Sequence, residues 1–277
     1  MRQNRIEEKV RRLWKLAGNG AVFFMFDGTW FTGPCYSREH GHSIPLKREE
    51  HCKAILKMAQ LVHEKYPDVL IEAHDPITSG SYVRYAPIYY LHGLPGSFDE
   101  IWGLEYMWDP MDGLLSRRAL SLYYINLAYE IPIYLHIDLR KDNEDALMFW
   151  WYASTCRHLG VGGKHEDPKV WNANKEAMKL YKKYKKFYTR GTFYGLEETV
   201  HAHTLGNTSV LNIFNIYREG TVKEIEFKLS EIGLPSGITY EVIGADSHQV
   251  EGDTVRIKVT LKPYSHRLIV IKPSNVK

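Results

Sequence analysis

Four acidic residues stand where a reaction can be built. Asp27 closes the apolar run Ala21 to Phe26 and is followed at once by Gly28, Thr29, Trp30, Gly33 and Pro34. Glu105, Asp109 and Asp112 fall together in IWGLEYMWDPMD, residues 101–112. Two carboxylates facing each other across a cleft suit glycosidic bond hydrolysis. One attacks the anomeric carbon or activates water, and the other protonates the leaving oxygen. Around them, Trp30 and Trp108 offer ring faces for stacking on a sugar, and Glu72, His74, Arg84, His136 and Asp138 offer hydrogen bonds to hydroxyls. The plain alternative for Asp27 is a cap on the element that follows, and for each histidine a satisfied structural role. HGH at 40–42 together with His51 supplies imidazoles, but in no defensible zinc spacing, so no metal and no cofactor are expected.

The elements that must position these residues follow a simple alternation. A helix over 4–17 places Ile6, Val10, Leu13 and Trp14 on one face and ends at Gly18-Asn19-Gly20. Val22 to Asp27 reads as a strand, Lys47 to Tyr66 as a helix stopped by Pro67, and Val69 to His74 as a second strand. A long loop follows, then strand Ile101 to Trp108, helix 114–129, strand Ile133 to Leu139, helix 143–158 with a Gly turn behind it, helix 168–188, and a last strand from Thr192. Strand, loop and helix in this order predict a parallel sheet of βα units.

Strand parity sharpens the reading, because alternate residues of a barrel strand face its interior. Counting back from Asp27 puts Met25 and Phe23 on its face. Glu72 shares a face with His74, Glu105 with Met107 and Asp109, and His136 with Asp138. Each strand therefore carries its ionisable groups on one face near its C-terminal end, where a parallel α/β barrel does its chemistry.

From about Asn207 the texture changes to short strands joined by Gly, Pro and Ser turns, which predicts a small antiparallel β-sandwich with a packing role. The expected organisation is an α/β chain: residues 1–205 as a parallel (β/α) barrel portion and residues 206–277 as the sandwich. A full eight-fold barrel takes about 200–250 residues, yet only some five βα units precede residue 206. The expectation is therefore that a missing N-terminal barrel portion, or an oligomeric partner, completes the barrel.

The 277 residues carry 44% hydrophobic and 25% charged side chains and a net charge of only +3, the profile of a globular protein without a strong case for nucleic acid or membrane partners. Three cysteines in no paired spacing predict no structural disulfide and a reducing, cytoplasmic compartment. The amphipathic start lacks an apolar h-region, so no signal peptide is expected.

Four segments resemble the α-galactosidase-related clan of glycoside hydrolases: FFMFD (23–27), YPDVLIEAHDPITSGSYVRY (66–85), IWGLEYMWDPMDGLLSRR (101–118) and WWYASTCRHLGVGG (150–163). The resemblance implies the second half of a barrel followed by a β-sandwich, a carbohydrate substrate with an α-linkage, and Asp27 as nucleophile at a strand end. Two departures stand out. The family usually has Lys two residues before the nucleophile, where this chain has Met25. Counting from Trp108 to Arg118 favours Asp112 as acid/base, while strand parity favours Asp109 or Glu105. Two rivals remain. FDGT (26–29) is similar to the phosphatase motif DxDGT, with Met25 where that motif has its nucleophilic Asp. The other is a catalytically inactive carbohydrate-binding or scaffolding protein derived from such a barrel.

Overall fold

A computed structural model describes residues 3–26, 31–74, 88–90, 110–129, 134–156 and 158–274. The chain forms two compact units, Met1–Tyr106 with Ile133–Leu135, and Met107–Pro132 with His136–Lys277.

In the first unit, helix α1 (Gln3–Gly18) buries Val10 and Leu13, and α2 (Arg48–Lys65) buries Cys52, Ile55, Met58, Ala59 and Val62. All but Cys52, which extends the buried stripe by one turn, are positions expected from the 3.6-residue period. The two helices share one apolar cluster with Phe24 and Ile71, and the Trp14 indole N–H donates to the Leu61 carbonyl at 3.0 Å. Strands β1 (Phe23–Phe26), β2 (Leu70–His74) and β3 (Ile88–Tyr90) form a parallel sheet in the order β1-β2-β3. Helix α2 is the crossover between β1 and β2, the connection parallel strands require. β3 lies inside the stretch expected to be a long loop, because three apolar residues flanked by turn formers carry too little periodicity to register. The expected strand Ile101 to Trp108 lies outside the described residues.

The second unit opens with α3 (Pro110–Leu115) and α4 (Leu120–Tyr129). The single helix expected over 114–129 is interrupted by a turn in which Arg117 takes the left-handed φ of 66°. Strand β4 (Tyr134–Asp138) pairs with β5 (His158–Gly162) in a two-stranded sheet. The expected Gly turn after the helix is thus partly a strand. Helix α5 (Leu147–Cys156) starts later than expected because Ala146 sits at φ 50° and residues 142–143 cap it. All ten of its residues are buried, as befits a helix that is apolar on every side. Helix α6 (Pro168–Arg190) begins with Asp167 accepting the Lys169 N–H and Pro168 in the first turn.

The remaining strands are β6 (Thr192–Glu197), β7 (Val200–Leu205), β8 (Thr208–Asn215), β9 (Thr221–Lys228), β10 (Tyr240–Ile243), β11 (Ser247–Glu251), β12 (Thr254–Leu261) and β13 (Ser265–Pro273). They make a sandwich of a five-stranded sheet, β10-β13-β8-β7-β6, and a three-stranded sheet, β11-β12-β9. The antiparallel sheet thus begins at Thr192, upstream of the boundary expected at 206, because β6 pairs with β7 as a hairpin instead of closing the parallel sheet. β12 alternates strictly: Val255, Ile257, Val259 and Leu261 are buried, while Arg256 and Lys258 pair across the strand with Glu226 and Glu224. β7 and β8 behave differently. They are buried on both faces, one against the sandwich core and the other under α5 and α6.

Candidate functional site

The parity reading has a physical counterpart in the first unit. Phe24 and Ile71 turn into the helix cluster, which leaves Phe23 and Met25 on the opposite face, 39% and 52% exposed. The register pairs Phe24 with Ile71 and Met25 with Glu72. Glu72 and, two residues on, His74 therefore occupy strand positions on the face of Phe23 and Met25. Because β1 and β2 are parallel, their C-terminal ends lie at one edge of the sheet. Asp27 is next in sequence after Phe26. Asp27, Trp30, Arg84, Glu105, Trp108 and Asp109 themselves lie outside the described residues, and Glu72, His74 and His136 are fixed by strand position alone.

Two of the expected site residues are described with their surroundings in the second unit. Asp138 is the last residue of β4 and is 5% exposed. Its Oδ1 accepts the Arg140 backbone N–H and side-chain Nε–H, each at 3.0 Å, and its Oδ2 accepts from Nη2 at 2.5 Å. A carboxylate claimed on both oxygens by one guanidinium is an oriented anchor, a bidentate geometry that fixes Arg140 in place. Gly163, at φ +74°, brings backbone so close to Asp138 that no side chain fits there. Asp138 and Arg140 line an open cavity of about 440 Å³ with Lys141, His165 and Glu166. The cavity's mixed charge and its position at a strand's C-terminal end suit polar recognition of a hydroxylated ligand.

Asp112 stands in the first turn of α3 with its side chain 61% exposed, in an ion pair with Arg118 at 2.5 Å. That setting lacks the burial that prepares a carboxyl to act as a general acid. Nearby in sequence, Asp142 is the carboxylate the sequence reading missed. It is 6% exposed and accepts the N–H groups of Asn143, Met148 and Phe149 at 2.9–3.1 Å. Burial pushes its carboxyl up to about 6 against the pull of those three donors. Its role is to cap α5, and Asn143 beside it accepts from Leu147 N–H while donating to the Tyr264 carbonyl at 2.7 Å.

The larger omission is a polar seam between the sandwich and the helices. His201 and His203 on β7 and Asn212 on β8 are fully buried, and the half-buried His266 on β13 joins them. His201 Nε2 donates to the Glu198 carbonyl at 2.9 Å, since a carbonyl only accepts. Its Nδ1 is then the acceptor for the Ser154 hydroxyl at 3.0 Å, and Ser154 Oγ in turn receives from His203 Nε2 at 2.9 Å. His266 Nε2 and the Tyr188 hydroxyl both reach Asn212 Oδ1, at 2.9 and 3.1 Å. Tyr123 stacks on His201 with ring centroids 5.2 Å apart, and Trp150 stacks on His266 at 4.8 Å. Burial holds His201 down at about 4, with Lys223 adding to the effect, and holds His266 well below its ordinary value. The available signal was H-A-H at 201–203: period 2 puts both rings on the face opposite Val200 and Ala202, which enter the sandwich core.

No protein-family model matches the chain, and no curated protein does. Solved structures do align with it over most of its length. A debranching enzyme from Nostoc punctiforme covers 97% of this chain at 10% identity and a TM-score of 0.48. An α-amylase from Geobacillus thermoleovorans, in a complex with acarbose, covers 95% at 12% identity and 0.47. A GH27 β-L-arabinopyranosidase from Geobacillus stearothermophilus covers 97% at 15% identity and 0.45. The chain spans 62% of the length of each of these three. Among the described residues, no helix is long and apolar enough to cross a membrane.

Proposed function

We propose that this chain is a glycoside hydrolase acting on an α-linked sugar, with Asp27 as nucleophile. The observation that carries the reading is the parallel, in-register pairing of β1 with β2, which aligns the strand end preceding Asp27 with the one that closes at His74. Parallel βα proteins gather their catalytic groups at that edge of the sheet. Within its own unit, Asp138 ends β4 on an open cavity and is the proposed sugar-binding residue there. Of the three acid/base candidates, the exposure of Asp112 and its pairing with Arg118 weigh towards Glu105 and Asp109.

Trp30 and Trp108 then stack on sugar rings, and Glu72, His74, Arg84 and His136 bind hydroxyls. The exposed Phe23 and Met25 present an apolar strand face that fits closure by further barrel strands, from an N-terminal portion or an oligomeric partner. Cys35, Cys52 and Cys156, which form no disulfide among the described residues, fit a reducing, cytoplasmic setting. The test combines the mass of the native assembly with a screen of aryl α-glycosides. Hydrolysis of at least one, by the assembly that completes the barrel, is the expected result. Retention of sugar with no hydrolysis in any assembly would replace the enzyme with an inactive carbohydrate-binding protein.

A further inference from the structure

Residues 35–46, which lead into α2, form a loop closed on itself. Cys35 and Leu46 exchange backbone hydrogen bonds, Leu46 N–H to the Cys35 carbonyl at 2.9 Å and Cys35 N–H to the Leu46 carbonyl at 3.4 Å. Inside the loop a single 3-10 turn, Arg38–His40, is capped by Ser37 and ends at Gly41, whose φ of 62° is open to glycine at no steric cost. That left-handed step folds His42 back beside His40, with ring centroids 5.6 Å apart. Cys35 Sγ lies 3.3 Å from His40 Nδ1. One ligand-competent atom from each of Cys35, His40 and His42 lies within 4.8 Å of the others. His51, which sequence spacing groups with HGH, instead places its ring 5.9 Å from that of Phe31.

His42 supplies the second, independent observation. Its Nδ1 is 2.6 Å from the Ser43 carbonyl, which can only accept, so Nδ1 carries the proton and Nε2 the lone pair. That Nε2 is buried and has no hydrogen-bond partner. A buried acceptor left unmatched costs about 1–3 kcal/mol, and an imidazole whose other nitrogen is pinned by a carbonyl is the usual arrangement of a metal-bound histidine.

We propose that Cys35, His40 and His42 form a binding site for a borderline-soft divalent cation, zinc by preference. One thiolate and two imidazoles make an N₂S donor set, which zinc takes in tetrahedral geometry. Zn–S of about 2.3 Å and Zn–N of about 2.0–2.1 Å give tetrahedral edges of roughly 3.3–3.6 Å. The Cys35–His40 separation is already there, and the rest of the cluster closes by about an ångström within an exposed turn. Binding replaces the thiol proton with the metal, so one proton is released from Cys35 as the Zn–S bond forms. With three protein ligands the fourth position holds water. The site staples the loop of residues 35–46, and it stands whether or not the chain hydrolyses sugars.

The test uses the full chain, stripped with a chelator and then titrated with ZnCl2 against a competing chelator, and separately with CoCl2. The expected result is one zinc per chain, a near-ultraviolet thiolate-to-cobalt charge-transfer band, and a fall of about 100-fold or more in zinc affinity in Cys35→Ser, His40→Gln and His42→Gln. His51→Gln should bind as the wild type does. Circular dichroism confirms that each variant is folded, and the wild-type cobalt spectrum decides the matter even if one is not. No stoichiometric uptake, a cobalt complex without a thiolate band, or undiminished affinity in the three ligand variants overturns the proposal.

Discussion

Replacing His201 with Phe should change how the stability of the second unit depends on pH. His201 is fully buried among Tyr123, Trp151, Phe193 and Phe214, so a phenyl ring of similar size fits the space. The charged group that bears on it is Lys223, itself paired with Glu197 at 2.7 Å. A second proton on His201 must go to Nδ1, where it would turn away the Ser154 hydroxyl that already receives from His203. Folding therefore lowers the group from 6.5 to about 4. Below pH 6.5 the unfolded chain binds a proton the folded chain refuses, so stability is full above about 6.5 and falls as pH drops towards 4. At 1.36 kcal/mol per pH unit, that gap amounts to about 3 kcal/mol.

Asp142 works the other way. Its carboxyl, raised to about 6, is a group whose contribution declines as pH rises from about 4 to 6. Comparing wild type with His201→Phe at each pH cancels that background. At pH 7 the variant should be less stable, since it leaves the Glu198 carbonyl without its donor, a loss of about 1–3 kcal/mol. Between pH 7 and 4 the wild-type advantage should shrink by about 3 kcal/mol. Urea unfolding followed by tryptophan fluorescence reads this directly, because Trp150 and Trp151 line the seam. Stability curves that run parallel for the two proteins from pH 7 to 4 would refute the reasoning.

Two further substitutions probe the same unit. Asn143→Ala removes both the cap on α5 and the bond to the Tyr264 carbonyl, and should cost about 2 kcal/mol in urea unfolding with the slope unchanged. Gly195→Ala places a methyl group against the Tyr123 ring, 2.6 Å from Cζ, and should destabilise by about 1–3 kcal/mol because Tyr123 is packed against His201 and cannot yield.

Much of the fold could be read from the sequence where a period was long enough to count. The buried set Ile55, Met58, Ala59 and Val62 spans two turns of α2, and Pro67 stops it without ambiguity. The place of Asp138 was legible because it ends a short strand. The sandwich's start was misplaced because VHAHTL is buried on both faces and so shows none of the polar alternation that marks β12. The histidine seam was hidden for a related reason. What makes His201 and His266 unusual is the layer of α5 and α6 above them, a contact between segments far apart in the chain. Cys35 escaped because His42 is brought back beside His40 only by the left-handed turn at Gly41, which no zinc spacing anticipates.

Under the proposed function, Asp27 performs the chemistry. The most direct measurement of this is turnover of the best aryl α-glycoside by Asp27→Asn, beside wild type, with circular dichroism confirming the same fold. Loss of hydrolysis with substrate binding intact is the predicted result. Undiminished turnover in the folded variant would contradict it.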